Sequence, residues 1–259
     1  MREHAEGALR RSKRPRMPDT PERARLERER SIRQFIFGMQ DGVLTTLGII
    51  TGVGAGNPDR ATILLTGAVS LVVGALSMGA GEYLGGKSER EVVRNAIELE
   101  RSEMLANPEE EFAEQVAYYR LKGFTPDEAT MIVKRLETNP EIWLHEMMRD
   151  EFGIDPRVAE GGGSREAFTM GGSFAVGAFV PLLPYLVLAF AHDTALIASI
   201  VLAAVFLFAI GAFAARISNR NAFVKGIELV MFGAIVFAIS FAAGHLIPAL
   251  FGHAPVSAG

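Results

Sequence analysis

The chain has 259 residues, no cysteine, a formal net charge of −4 and a mean hydropathy of +0.22. The lack of cysteine excludes disulfide bonds, thiolate metal sites and cysteine nucleophiles. No nucleophile and base arrangement indicates an enzyme, and the polar first 30 residues lack the apolar core of a cleaved signal peptide.

Charge is distributed very unevenly along the chain. Residues 1–33 hold 11 basic and 6 acidic residues, and residues 86–166 hold 11 basic and 19 acidic residues. The rest of the chain is nearly uncharged, which is unusual for a soluble domain. We therefore expect a basic cytoplasmic arm (1–32), a first apolar block (33–85), an acidic domain (86–166), a second apolar block (167–251) and a short tail (252–259).

The basic arm allows two interpretations. Its cations could lie on anionic lipid, but a disordered, solvated tail is favoured by its polar composition. We do not assign nucleic acid binding to it.

The apolar blocks contain five segments long enough to cross a bilayer, which takes about 20 apolar residues each. A buried soluble core is the alternative, but five such runs in one small chain disfavour it. The sequence therefore predicts an all-α membrane protein with five transmembrane helices. They are expected at 34–56, 61–85, 167–191, 194–215 and 222–250.

The orientation of the spans follows from the cations near their ends. The opposite side of the membrane carries only Arg60 in its short loops. We therefore expect the N-terminus and residues 86–166 in the cytoplasm and the C-terminus outside. The cations on the expected cytoplasmic side are Arg28, Arg30, Arg33, Arg216, Arg220 and Lys225.

Glycines recur at four-residue spacing in the first two spans, so helix backbones can approach closely there. Close packing within one subunit and a homodimer interface are weighed equally as explanations. In the third span, Pro181 and Pro184 predict a kink. The glycines are Gly38, Gly42, Gly48, Gly52 and Gly56 in the first span, and Gly81 and Gly85 in the second.

The acidic domain is predicted to be helical throughout. Its first helix, from Lys87 to Leu105, lacks proline and could continue the second span beyond the membrane. The domain is inserted between the second and third spans. Further helix starts are indicated at Asn107-Pro108, at the capping box Thr125-Pro126-Asp127-Glu128 and at Asn139-Pro140.

Two pairs of glutamates lie on the predicted helices of this domain. Glu100 and Glu103 share one helix face, and Glu111 and Glu114 repeat the spacing on the next helix. Antiparallel packing at Asn107-Pro108 would bring the pairs together, where like charges repel unless a cation lies between them. A solvated acidic face is the alternative.

Two methionines help to decide between a cation site and a solvated acidic face. Met147 and Met148 lie within one turn of Glu151, and a mixed carboxylate and thioether site favours a first-row transition metal over calcium or magnesium. A methionine pair beside Trp143 is also a common core arrangement.

Three polar or soft side chains lie within the first two spans. Asp41 interrupts the first span, while Met78 and Glu82 share one face of the second. Acidic residues in a bilayer normally face a cavity and carry function, so these residues could line one path. Glu82 could instead be an interfacial residue near Lys87. His245 in the last span is interpreted as an interhelical hydrogen-bonding group rather than a proton carrier.

Three motifs resemble the vacuolar iron transporter family. They are Gly38-Met39-Gln40-Asp41-Gly42, Ser77-Met78-Gly79-Ala80-Gly81-Glu82-Tyr83 and Val180-Pro181-Leu182-Leu183-Pro184-Tyr185. The likeness extends from about residue 33 to residue 251.

The resemblance implies a five-helix homodimer that exchanges cytoplasmic Fe²⁺, and also Mn²⁺, Zn²⁺ or Co²⁺, for protons, without a prosthetic group. It implies a transport pathway at Asp41, Met78 and Glu82. A ferritin-like ferroxidase centre is unsupported, because Glu141 and His145 are four residues apart rather than three. The implied metal ligands of the acidic domain are Glu100, Glu103, Glu111, Glu114, Met147, Met148 and Glu151.

A second function remains open at this point. The spans could merely anchor a metal sensor or buffer at the bilayer, which predicts metal binding without flux. The arginine- and alanine-rich composition and the lack of an organelle signal favour a bacterial plasma membrane as the location.

Overall fold

The computed structural model describes residues 21–56, 59–187 and 192–250. These ranges contain α-helices and one 3₁₀ helix, Pro156–Glu160, and no strand. The α-helices are α1 (Pro21–Gly56), α2 (Arg60–Ala106), α3 (Pro108–Leu121), α4 (Pro126–Glu137), α5 (Pro140–Asp150), α6 (Ser164–Val187), α7 (His192–Ile217) and α8 (Ala222–Leu250).

Five of these helices are long and apolar enough to cross a membrane, which confirms the predicted number of spans. The apolar part of α1 is Ser31–Gly56. The helix α2 has 47 residues, so the acidic segment from Lys87 does continue the second span. The helix α6 begins at Ser164, three residues before the predicted start of the third span, and residues 188–191 lie outside the described residues.

The described residues form two compact units. The membrane unit contains α1, the part of α2 up to Tyr83, and α6 to α8. The acidic unit contains residues 84–162, against the expected boundaries of 86 and 166. Each unit has its own apolar core.

In the membrane unit, α1 and α6 run parallel at very close range. A Cβ atom at Gly38 would lie 2.9 Å from the carbonyl oxygen of Met170, and one at Gly42 would lie 2.7 Å from the backbone nitrogen of Ala178. Residue numbers rise together along the contact. Small residues permit this approach, and the resulting backbone contact holds the two helices in one register.

The helix α2 packs against α6 in the opposite direction. A Cβ at Gly79 would lie 3.1 Å from the Ala167 carbonyl oxygen, whereas Gly67, twelve residues earlier, faces the Leu182 side chain. Since α7 and α8 follow with short connections, the spans alternate in direction. The starts of α1, α6 and α8 therefore lie at the same end of the unit as Glu82 and the end of α7.

The helix α6 continues through both of its prolines. The Ser199 hydroxyl of α7 donates a hydrogen bond of 2.7 Å to the carbonyl oxygen of Pro181. At the end of α6, the Arg60 guanidinium donates to the carbonyl oxygens of Tyr185 (2.8 Å) and Leu186 (3.3 Å). This cation therefore caps the negative end of the α6 dipole.

The glycines of the first span pack closely within one subunit, as one of the two interpretations expected, but against α6 and α8 rather than against the second span. Gly38 and Gly42 face α6, whereas Gly48, Gly52 and Gly56 face Ser240 and Gly244 of α8. Gly81 and Gly85 of α2 have no neighbouring atom within 4 Å of an added Cβ. The first span uses two glycine faces because it packs against two different helices.

Two further expectations are corrected. Residues 21–30 of the basic arm are helical, as the first turns of α1, where Arg25 and Glu29 form an ion pair of 2.8 Å. Residues 1–20 lie outside the described residues. The His245 ring bonds the carbonyl oxygen of Phe241 at 3.0 Å, so its hydrogen bond lies within its own helix. In the first turns of α8, Lys225 and Glu228 form an ion pair of 2.6 Å.

The acidic unit is held together by a small apolar core. Each large side chain buried there contributes about 1.5–3 kcal/mol of burial free energy. The helix starts agree with prediction, since Thr125 and Glu128 form the capping box and the Asn139 side chain accepts from the Ile142 backbone. The buried core residues are Met104, Trp143, Leu144, Met147 and Met148.

Candidate metal site and membrane path

Three helix segments supply the predicted acidic ligands. Glu100 and Glu103 lie on the last turns of α2, Glu111 and Glu114 lie on the first two turns of α3, and Glu151 is the C-cap residue of α5. The single residue Asn107 joins α2 to α3, so the two glutamate pairs flank one sharp connection. We call these five residues the glutamate cluster.

Glu100 is the most unusual member of the cluster. Only 1% of its surface is exposed, and neither carboxylate oxygen has a hydrogen-bond partner within the described residues. Burying an unpaired charge costs free energy, so this carboxylate is stable only when it is protonated or when it binds a cation. Glu111 is 7% exposed and lies at the same site.

The electrostatics show that all five glutamates lie near one another. Burial raises the pKa of Glu100 to about 8, and the negative charges of the other four cluster members add to the effect. Burial also raises the pKa values of Glu111 and Glu151, with Glu114 as the next cause in each case. With a pKa of about 8, Glu100 therefore retains a proton at neutral pH that a bound cation would displace.

Two further carboxylates of this unit that are at least partly buried already have partners. Glu141 pairs with Arg101 at 2.8 Å, and Asp150 accepts from Lys122 (2.5 Å) and Gln115 (2.6 Å). These two charges are compensated, whereas the buried carboxylate of Glu100 in the glutamate cluster is not.

The side chains are not prearranged around an ion. Within the ranges that the structure describes, no three His, Asp or Glu side chains are placed to hold one metal. Metal binding at the cluster thus requires rotation of its glutamates. Met147 and Met148 are 1% and 0% exposed and belong to the core with Trp143, so their packing role is established and a ligand role is a proposal.

In the membrane unit, Glu82 and Asp41 each have one hydrogen-bonding partner. The Gln34 amide of α1 donates a bond of 2.8 Å to Glu82, which links the first two spans at one end. The Thr45 hydroxyl, one turn along α1, bonds the half-buried Asp41 carboxylate. Lys87 pairs with Glu91 at 3.7 Å, not with Glu82.

The Gln34–Glu82 bond sets the depth of the other predicted path residues. Asp41 follows Gln34 by seven residues, so it lies on the same helix face about 10 Å deeper. Met78 precedes Glu82 by four residues and lies about 6 Å deeper on α2. Both are half-buried. Antiparallel α1 and α2 therefore carry these side chains at similar depths.

Sequence reasoning missed three polar residues of the membrane unit. Gln34 was detectable, because it lies two turns before Asp41 on the same helix face. Thr45 was also detectable, because its four-residue spacing from Asp41 places the two side chains on one face. Glu166, at the start of α6, has one buried carboxylate oxygen without a partner in the described residues. No local pattern distinguishes it from an ordinary first-turn acid.

Fold and site together define a polytopic membrane protein with an acidic helical unit inserted between its second and third spans. The family model described as the VIT family matches residues 32–245. The chain belongs to this family, which confirms the resemblance seen in its motifs.

Relatives match over most of their length. The chain is 33% identical over 213 residues to Vacuolar iron transporter 1 of Arabidopsis thaliana, covering 81% of this chain and 83% of the relative. It is 30% identical to Vacuolar iron transporter 1 of Oryza sativa subsp. japonica, covering 81% and 82%. Protein CCC1 of Saccharomyces cerevisiae is 28% identical, covering 80% of this chain and 66% of that protein.

Proposed function

We propose that this protein transports divalent transition metal ions, with Fe²⁺ as the main substrate and Mn²⁺, Zn²⁺ or Co²⁺ as further candidates, out of the cytoplasm in exchange for protons. The observation that carries the proposal is Glu100, a buried carboxylate without a partner among four further glutamates. Membership of a family whose named relatives are iron transporters supports the same substrate class.

In the proposed first step, the glutamate cluster binds the ion as it loses its protons. Carboxylate oxygens suit Fe²⁺ and Mn²⁺, and the sulfurs of Met147 and Met148 would add preference for a transition metal. Since a proton and a cation compete for the same oxygens, a high proton concentration weakens the site. The cluster thus couples metal capture to proton release.

In the proposed second step, the ion passes along the path of Asp41, Met78 and Glu82. A carboxylate and a thioether at similar depth repeat the ligand types of the acidic unit. Protonation of Asp41 from the far side would release the ion there. An acid held within a span is costly, which is why a transport role is the better account of its presence.

The test uses sealed vesicles with an imposed pH gradient and a trapped fluorescent metal chelator. We expect Asp41→Ala to abolish uptake of Fe²⁺ and Mn²⁺ beyond the rate of protein-free vesicles. Asp193→Ala is the matched control, because Asp193 is exposed at the start of the fourth span, and it should transport normally. Equal uptake by Asp41→Ala and the unaltered protein would refute the path.

The second candidate function is a membrane-anchored metal sensor or buffer. The finding that favours it is the acidic unit's own apolar core, because a separately packed unit could bind metal without flux. The vesicle assay separates the two, since a buffer binds metal on one side but gives no protein-dependent uptake.

We further propose a homodimer in a bacterial plasma membrane, with the N-terminus and residues 86–166 in the cytoplasm. An exposed apolar face of α2, including Leu76 (68% exposed), and the open Gly81 support self-association. Because the chain has no cysteine, a single Leu76→Cys variant should form disulfide-linked dimers on oxidation. Val201→Cys, on exposed α7, is the control that should stay monomeric.

A further inference from the structure

One end of the membrane unit carries arginines that the proposed transport does not use. Two lie near the start of the α1 span, one near the start of α6, and two near the turn between α7 and α8. All five are exposed. We call them the arginine rim: Arg28, Arg33, Arg165, Arg216 and Arg220.

The helix directions gather these residues at a single end. The helices α1, α6 and α8 begin there, and α7 ends there, as the glycine contacts require. At the opposite end, Arg60 caps the carbonyl oxygens of α6 and is therefore engaged. The two ends thus differ in the pairing of their cations as well as in their number.

The rim arginines have no acidic partners within the described ranges. None of their side chains takes part in a hydrogen bond or ion pair there. Nearby cations do pair, as Arg25 does with Glu29 and Lys225 with Glu228. Glu29 and Glu228 are therefore already paired, and the unpartnered oxygen of Glu166 is buried, so the exposed surface at this end is positive.

The rim lies at the height of the lipid headgroups. Arg33 follows the start of the apolar span at Ser31 by two residues, and Arg216 precedes its end at Ile217 by one. At 1.5 Å per residue these guanidiniums lie within about 5 Å of the hydrocarbon boundary. A guanidinium binds phosphate with two parallel hydrogen bonds and is weakly hydrated, so it suits this location.

We propose that the arginine rim binds the phosphate headgroups of anionic phospholipids, forming a lipid-binding surface around one end of the membrane unit. The charge complementarity and the height of the rim favour lipid over a soluble anion, because both chemistry and depth match a headgroup. This inference is independent of the transported ion and of proton coupling.

The test titrates the full-length protein in neutral detergent with phosphatidylglycerol or phosphatidylcholine, and measures bound lipid by native mass spectrometry. We expect tighter binding of phosphatidylglycerol, weakening as salt rises from about 0.05 to 0.5 M. Arg216→Gln with Arg220→Gln should weaken it about thirtyfold, at about fivefold per arginine. The matched control replaces two exposed arginines of the acidic unit, Arg120→Gln with Arg135→Gln, and should bind normally.

Several outcomes would overturn the proposal. Equal affinity for the two lipids would show that the rim arginines only orient the protein during insertion. An equal loss in the control variant would show an effect of net charge alone. Displacement of lipid by 10 mM inorganic phosphate, or by a short DNA duplex at equal charge, would assign the surface to a soluble anion or a nucleic acid instead.

Discussion

The buried Glu100 carboxylate predicts that metal binding releases a proton near neutral pH. The perturbation is Glu100→Gln, which keeps the size of the side chain and removes its ionisable group. At pH 7, a carboxyl with a pKa of about 8 is about nine-tenths protonated. An ion bound there must displace that proton, so the variant should release about 0.9 fewer protons per ion than the unaltered protein.

The pH dependence follows from the same pKa. At pH 9 only about a tenth of the Glu100 carboxyls hold a proton, so the contribution of this residue to proton release should nearly vanish. Apparent metal affinity should rise by up to about tenfold per pH unit below pH 8 and level off above it. Glu111 and Glu151, whose pKa values are also raised, steepen the dependence at the acidic end.

The assay is isothermal titration of the full-length protein in detergent with Mn²⁺, in two buffers of different ionisation enthalpy at each pH. The difference in heat gives the number of protons released per ion. Glu98→Gln is the control, since Glu98 is exposed on the same helix two residues away. A proton count that is equal in Glu100→Gln and the unaltered protein, or constant from pH 6 to 9, would refute the reasoning.

Three further predictions follow from the packing and the caps. Gly42→Ala should sharply lower the yield of folded protein in gel filtration, because its Cβ would overlap the Phe174 backbone, whereas Gly81→Ala should be tolerated in open space. Thr125→Ala should destabilise the acidic unit by about 1 kcal/mol, measured in an unfolding curve from the fluorescence of the single, buried tryptophan. An unchanged free energy of unfolding would contradict the observed capping box. The same probe should show that the free energy of unfolding of the acidic unit falls as pH rises from about 4.5 to 8, because the pKa of Glu100 is higher in the folded state. The loss of stability over this range is at most about 5 kcal/mol. A flat profile would count against the burial of Glu100.

The number of spans was predictable from the sequence because membrane insertion depends on local composition. Uncharged runs of about 20 residues carry that information without reference to tertiary contacts. The capping box at Thr125 was equally local, since one segment supplies donor and acceptor. The sequence did not predict which helices pack together, because Gly38 and Gly48 lie in similar sequence patterns yet face different helices.

The proximity of the two glutamate pairs was predictable because a single residue joins α2 to α3. A three-residue spacing on each side of that connection places both pairs on facing surfaces. The burial of Glu100 was not predictable in this way. It arises from tertiary packing in a unit whose core joins side chains from different parts of the chain, such as Met104 and Trp143.

The polar partners in the membrane unit were the hardest to predict. The bond from Gln34 to Glu82 joins residues 48 positions apart, and no local pattern pairs them. The orphaned oxygen of Glu166 reflects close packing at the start of α6. Such features arise from tertiary register, which glycine spacing permits but does not specify.

The location of bound metal tests the central claim most directly. Crystals of the full-length protein grown with Mn²⁺ should show an anomalous diffraction peak within roughly 2.0–2.6 Å of cluster oxygens, with Glu100 among the ligands. A saturating soak that leaves the cluster without a peak, in protein that still transports Mn²⁺ in vesicles, would contradict the proposed capture site.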